Sequence, residues 1–124
     1  MLGGSSWTGS RTGSSTARRV LAVNETTRQA VTAARIWLDG HGGSSDEQIT
    51  MRIMKLMEET GEAAAAWIGV RGQNPRKGVT HERADVAAEL ADVVFTALVA
   101  IESLGFDAEE TLTACAAKVS ARLS

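Results

Sequence analysis

The residues in this chain best placed to do chemistry are acidic: Glu58, Glu59 and Glu62, then Glu89 and Asp92. Positions three apart on a helix are surface neighbours, so Glu59 pairs with Glu62 and Glu89 with Asp92. If the intervening chain folds the two segments back as an antiparallel hairpin, one register sets Glu59 opposite Asp92 and Glu62 opposite Glu89. The turn is then centred between Pro75 and Arg76. Carboxylates gathered this closely repel, and without compensation the repulsion is comparable to the stability of a whole domain. A divalent cation removes the difficulty. Oxygen donors of this kind select Mg²⁺, Mn²⁺ or Ca²⁺. Zinc prefers nitrogen and sulfur ligands, and His41, His81 and Cys115 show no zinc-site spacing. Mg²⁺ retains waters and coordinates substrate phosphates, which directs attention to phosphoryl chemistry. Helix carboxylates more often form a solvated face, and Lys55, four residues before Glu59, suits an ordinary surface ion pair. Against that, Asp92 abuts the apolar run Val93–Ile101, and the acids repel within each helix where alternating Glu–Lys pairs would attract.

The elements that must position these acids are helices. One is expected from an N-cap at about Asn24 to Asp39, with Val31, Ala34 and Leu38 in one stripe and Trp37 beside it. Gly40, Gly42 and Gly43 end it. A second starts near Ser45 or Asp46, presents Ile49, Ile53, Leu56, Thr60, Ala63 and Trp67 on one face, and stops before Gly69. The segment from Gly72 to Gly78, with the single proline, is a loop. A third runs from about Thr80 to Leu104 along Val86, Leu90, Val93, Ala97, Ile101 and Leu104, and stops at Gly105. Asp107 and Glu110 open a fourth that ends near Leu123. No strand pattern competes, so the expected fold is all-α, an antiparallel four-helix bundle.

Residues 1–22 are expected to be a flexible leader and residues 23–124 a helical domain. The first 18 residues are mostly Gly, Ser, Thr and Arg, with Met1, Leu2, Trp7 and Ala17 and no acid, a composition unable to bury enough surface to offset its ordering entropy. An Arg- and Ser-rich start also fits a transit peptide. Its Gly-Ser repeats lack the Gly-Lys-Ser/Thr of a phosphate-binding loop.

A length of 124 residues suits one domain, and the 44% hydrophobic content is rich in Ala, with only 3 Trp and 2 Phe. Such a core is thin. Met51, Met54 and Met57 lie off the main stripe of the second helix, and Val93–Ile101 is apolar except for Thr96. Helices apolar on several sides are covered on several sides, so a homo-oligomer, dimer or tetramer, is expected. The net charge of −2 provides no field for nucleic acid or an anionic membrane. No apolar run reaches the ~18 residues of a membrane span, and one cysteine suits a reducing compartment. A cytoplasmic location is the expectation.

Glu59-Thr60-Gly61-Glu62 followed by Glu89-Leu90-Ala91-Asp92 resembles the E-x-x-E…E-x-x-D signature of the MazG-like nucleoside triphosphate pyrophosphohydrolases. The flanking strings Lys55-Leu56-Met57-Glu58 and Val93 also match, and the resemblance spans roughly residues 25–123. It implies an oligomerising helical bundle, Mg²⁺ dependence with Mn²⁺ as a substitute, and hydrolysis of an NTP or dNTP to the monophosphate and pyrophosphate. By this match Glu59, Glu62, Glu89 and Asp92 ligate the metal, and Glu58 is a candidate general base or a support for the ligands. Family members often carry Asn-x-Lys…Arg on the last helix. Lys118 and Arg122 fit it, while the Asn position holds Ala116. Lys118 and Arg122 would hold phosphates, although cations also suit a helix C-terminus. Arg76 and Lys77 would meet phosphates or simply solvate the turn. Trp37 and Trp67 would stack a base or, with more weight, pack in the core. Two other readings share these motifs: a phosphoribosyl-ATP pyrophosphatase-like enzyme, and a non-catalytic helical module binding nucleotide or a protein partner.

Overall fold

The computed structural model describes the backbone of residues 11–124 and the side chains of residues 25–124. Four helices follow in order: α1 (Arg11–Gly42), α2 (Asp46–Arg71), α3 (Arg83–Ser103) and α4 (Ala108–Leu123). Among the described residues there is no strand, and no helix is long and apolar enough to cross a membrane. α3 is the central element, packing on α1, α2 and α4, and its contact with α2 is the most extensive.

The expected N-cap at Asn24 is not a boundary. Helix α1 runs through it from Arg11, because the segment Ala17–Val23 is built of Ala, Arg, Leu and Val and contains no Gly or Pro to interrupt a helix. The expected leader therefore falls partly in helix and partly, over residues 1–10, outside the described residues. Gly69 is likewise not a stop. It lies buried inside α2, where a Cβ would collide with the side chains of Thr80 and His81, and its carbonyl accepts from Thr80 N at 3.0 Å. The stop is Gly72, which takes φ 60° as a left-handed C-cap.

The other ends follow local chemistry. The Ser45 hydroxyl accepts from Gln48 N, and Asp46 and Glu47 occupy the positive first turn of α2. Asp85 Oδ2 accepts from Glu82 N at 2.8 Å at the start of α3, and Asp107 Oδ1 accepts from Glu110 N at 2.8 Å at the start of α4. Asn74 holds the connection between α2 and α3 by accepting from the backbone amides of Arg76, Lys77 and Gly78.

The seam between α2 and α3 is rotated from the purely apolar stripe. On α2 the inward positions are Ile49, Arg52, Leu56, Glu59, Ala63, Ala66 and Val70; on α3 they are Val86, Glu89, Val93, Thr96, Ala100 and Ser103. Both sets alternate steps of three and four, the spacing that keeps two helices in register along their length. Ile53, Trp67, Leu90 and Leu104, assigned to the stripes from hydrophobicity, are 42%, 41%, 52% and 52% exposed. The reason is that charged Arg52 and Glu59 occupy seam positions, so apolarity alone points to the wrong side of α2. A second cluster of Val31, Leu98, Val99 and Ala108, backed by Ala34, Leu38, Phe95 and Ile101, joins α1, α3 and α4.

Arg52 is the buried charge among the described residues, at 8% exposure. Its guanidinium donates to Asp39 Oδ1 at 2.7 Å, to Ser103 Oγ at 3.0 Å and to the Gly43 carbonyl at 2.6 Å. Arg35 donates to the other Asp39 oxygen at 2.8 Å. One side chain thus ties the end of α1, the α1–α2 turn and the end of α3 to α2. The hydrogen bond from Arg52, helped by Arg35 and opposed by desolvation, lowers the Asp39 carboxyl below its ordinary value. A lowered carboxyl contributes stability that is present above its unfolded pKa, near 3.8, and is lost as pH falls below that value. Arg52→Met keeps the aliphatic stem but removes the shared donor of Asp39 Oδ1, Gly43 and Ser103. It should destabilise the fold by about 2–3 kcal/mol, read as a melting temperature about 10 °C lower, with the loss shrinking as pH falls below 4. An unchanged melting curve at neutral pH would refute this role.

Candidate metal centre

Half-way along the α2–α3 seam, inward positions bring acids together. Carboxylate oxygens of Glu59, Glu89 and Asp92 lie within 4.8 Å of one another. Glu59 comes from α2; Glu89 and Asp92 stand one turn apart on α3. The Glu59 side chain is 13% exposed, Glu89 is half-buried and Asp92 is exposed, so the group is rooted in the seam and opens to solvent on one side. Of the pairing expected from residue numbers, the hairpin brings Glu59 to Asp92, whereas Glu62, expected opposite Glu89, is not in the group.

Glu62 is exposed and lies outside the group of three, yet it feels the charge of two of them, Glu59 and Glu89. Its carboxyl is raised above the ordinary value by the Glu59 charge first, then by desolvation and by the Glu89 and Glu58 charges, with Lys55 acting in the opposite sense. Its own ionisation therefore opposes folding at neutral pH. Lys55 is the cation of the site: its Nζ lies 3.2 Å from Glu59 Oε1 and 3.5 Å from Glu58 Oε2. The hydrogen bond to Glu59 is the main reason the Lys55 ammonium is raised above its ordinary value, with the Glu58 charge next. Glu58, 63% exposed, has Lys55 as its partner.

The expected phosphate-binding cations do not join the acids within the chain. Arg76 and Lys77 are exposed in the hairpin connection, beyond an α2 segment that continues about 14 Å past Glu62. Lys118 and Arg122 are exposed on α4 and make no ion pair with the cluster. The soft donors are also elsewhere. The His41 ring stacks on Trp37 at 3.9 Å and its Nδ1 lies 2.7 Å from the Trp37 carbonyl; His81 bonds to Thr80; Cys115 is exposed on α4. Three carboxylates with no nitrogen or sulfur ligand among them fit a hard divalent cation.

Beside the acids lies a cavity of about 720 Å³. Its apolar wall includes Trp37, Leu38, Met51, Met54, Phe95 and Val99, drawn from α1, α2 and α3, while Lys55 and Glu58 line it as well. Trp37 is 59% exposed and belongs to this wall rather than to a core. Trp67 is also at the surface, with the Arg83 guanidinium 5.3 Å from its ring centre. Reading for helical apolar stripes missed the cavity, since its Met residues lie off the stripe. The signal that could have revealed the seam is the seven-residue spacing of Arg52, Glu59 and Ala66.

No curated protein and no solved structure is similar enough to the chain to count as a match. The model of the MazG nucleotide pyrophosphohydrolase domain matches residues 47–123. That span takes in α2 from its second residue, all of α3 and α4, and with them the three clustered carboxylates and Glu62. With most of its length matched, and with both acidic pairs on the helices of that match, the chain belongs to the MazG nucleotide pyrophosphohydrolase domain family.

Proposed function

We propose that this chain hydrolyses a nucleoside or deoxynucleoside triphosphate to the monophosphate and pyrophosphate, using Mg²⁺ held by Glu59, Glu62, Glu89 and Asp92. The observation that carries the reading is the approach of Glu59, Glu89 and Asp92 within 4.8 Å across two helices. A bound divalent cation would neutralise phosphate charge and activate a water. Glu59 and Glu89, anchored at seam positions, orient the donor oxygens; Asp92 and Glu62 complete the set from the solvent side. Glu58, exposed and next to Glu59, would accept a proton from water. The apolar cavity beside Lys55 and Glu58 suits a base and sugar, and in this reading the triphosphate would lie over the acids. Mn²⁺ would substitute as a hard cation of similar preference.

Glu62→Gln tests the metal assignment against a merely solvated face. At neutral pH the variant should melt no lower than wild type without metal, since a like charge has been removed. Added Mg²⁺ should stabilise wild type by mass action and the variant much less. Pyrophosphate release should fall at least tenfold. Equal Mg²⁺ responses and equal rates in the two proteins would sink the assignment. A panel of NTPs, dNTPs and phosphoribosyl-ATP assayed on the wild type names the substrate, and metal binding without turnover of any of them would mark a non-catalytic binding module.

We also propose that the chain acts as a homo-oligomer, a dimer or tetramer, in the reducing cytoplasm that its free Cys115 suits. Met51, Met54, Met57, Leu90, Val94 and Leu112 are each at least 50% exposed, an apolar surface beyond what a small monomer ordinarily leaves in water. In an oligomer Lys118, Arg122, Arg76 or Lys77 can reach the phosphates of a neighbouring copy's site, a reach unsupported within one chain. Sedimentation at micromolar concentration should give a species of at least twice the chain mass of 13.1 kDa; a monomer alone refutes self-association.

A further inference from the structure

Glu59 serves two kinds of positive charge. It belongs to the three-carboxylate group, and it also receives the Lys55 ammonium at 3.2 Å. Lys55 spans Glu58 and Glu59 from one turn earlier on α2, as a lysine three or four residues before a glutamate can. Its side chain is 52% exposed, so leaving the carboxylates exposes little new surface and returns conformational freedom to a long flexible stem. Arg52, the other cation lining the same cavity, is bound to Asp39, Gly43 and Ser103 and cannot exchange in this way. Of the two, Lys55 alone is therefore both in contact with a clustered acid and free to withdraw.

We propose that Lys55 is the built-in counter-ion of the acid cluster. It neutralises Glu59 in the metal-free protein, so the hairpin closes before metal arrives, and a divalent cation must displace it. Lys55 thereby sets the metal concentration at which the site fills. This rests on the metal reading of the cluster given above, and it assigns to Lys55 a role opposed to that of a ligand-supporting residue: removing it improves metal binding while weakening the metal-free fold.

The test is calorimetric titration of Mg²⁺ into wild type, Lys55→Met and Lys55→Arg without nucleotide, with melting curves of the metal-free proteins. Lys55→Met should bind Mg²⁺ about threefold tighter or more, the scale of a partly exposed ion pair, and should melt lower than wild type without metal. Lys55→Arg should restore both properties toward wild type. Arg71→Gln removes an equal charge about 24 Å further along α2 and should change Mg²⁺ affinity by less than about 1.5-fold. Unchanged or weaker Mg²⁺ binding by Lys55→Met overturns the counter-ion role, as does an equal tightening in Lys55→Arg or Arg71→Gln. Absence of divalent binding by wild type overturns the metal reading together with this inference, whereas normal wild-type binding with an unaffected Lys55→Met overturns the inference alone.

Discussion

A charge carried on the inner face of a helix pair must find its opposite where it stands, because water reaches it poorly and the neighbouring helix cannot retreat far. Helix α2 carries two such charges seven residues apart, Arg52 and Glu59. Arg52 is answered by Asp39, reinforced by Arg35, and by the oxygens of Gly43 and Ser103. That answer fixes the end of α1, the following turn and the end of α3 around α2. Glu59 is answered only in part, by Lys55, and it meets Glu89 and Asp92 across the seam. The first charge organises the fold. The second is left only partly neutralised.

Much of the architecture was legible in the residue order. Periodicity and glycine placement gave four helices and the turns between them, and the numerical register of the two acidic pairs anticipated that α2 and α3 would bring Glu59 to the acids of α3, though not that Glu62 would stay outside the group. The illegible parts share a physical cause. Hydrophobic periodicity assumes that inward means apolar, so a stripe interrupted by Arg52 and Glu59 was displaced by one position toward Ile53, Thr60 and Trp67. Gly69 looked like a terminator because its reason for being glycine lies eleven residues on, at Thr80, in a contact formed only after the hairpin closes.

The candidate site was legible in composition and less so in rank. The acids were identified, but nothing in their spacing distinguishes the inward Glu59 from the exposed Glu62 three residues later; only the orientation of the seam does. Lys55 was visible as an ion-pair partner and not as part of the site, since sequence spacing cannot tell a surface pair from one lying against a recessed carboxylate. Trp37 looked like core because large aromatic side chains usually are, and it stands instead in the cavity wall, 59% exposed.

The α2–α3 pair is held differently at its two ends. Toward the connection it is closed by small side chains, Ala63, Ala66 and Gly69, all buried. Toward the other end Met51, Met54 and Phe95 stand around open volume, and Arg52 bonds across to Ser103. The pair is thus a beam resting on two unlike supports, close packing of small side chains at one end and a fan of hydrogen bonds at the other. The acids occupy the midspan, so a substitution at either support loads the same charged group from a different side.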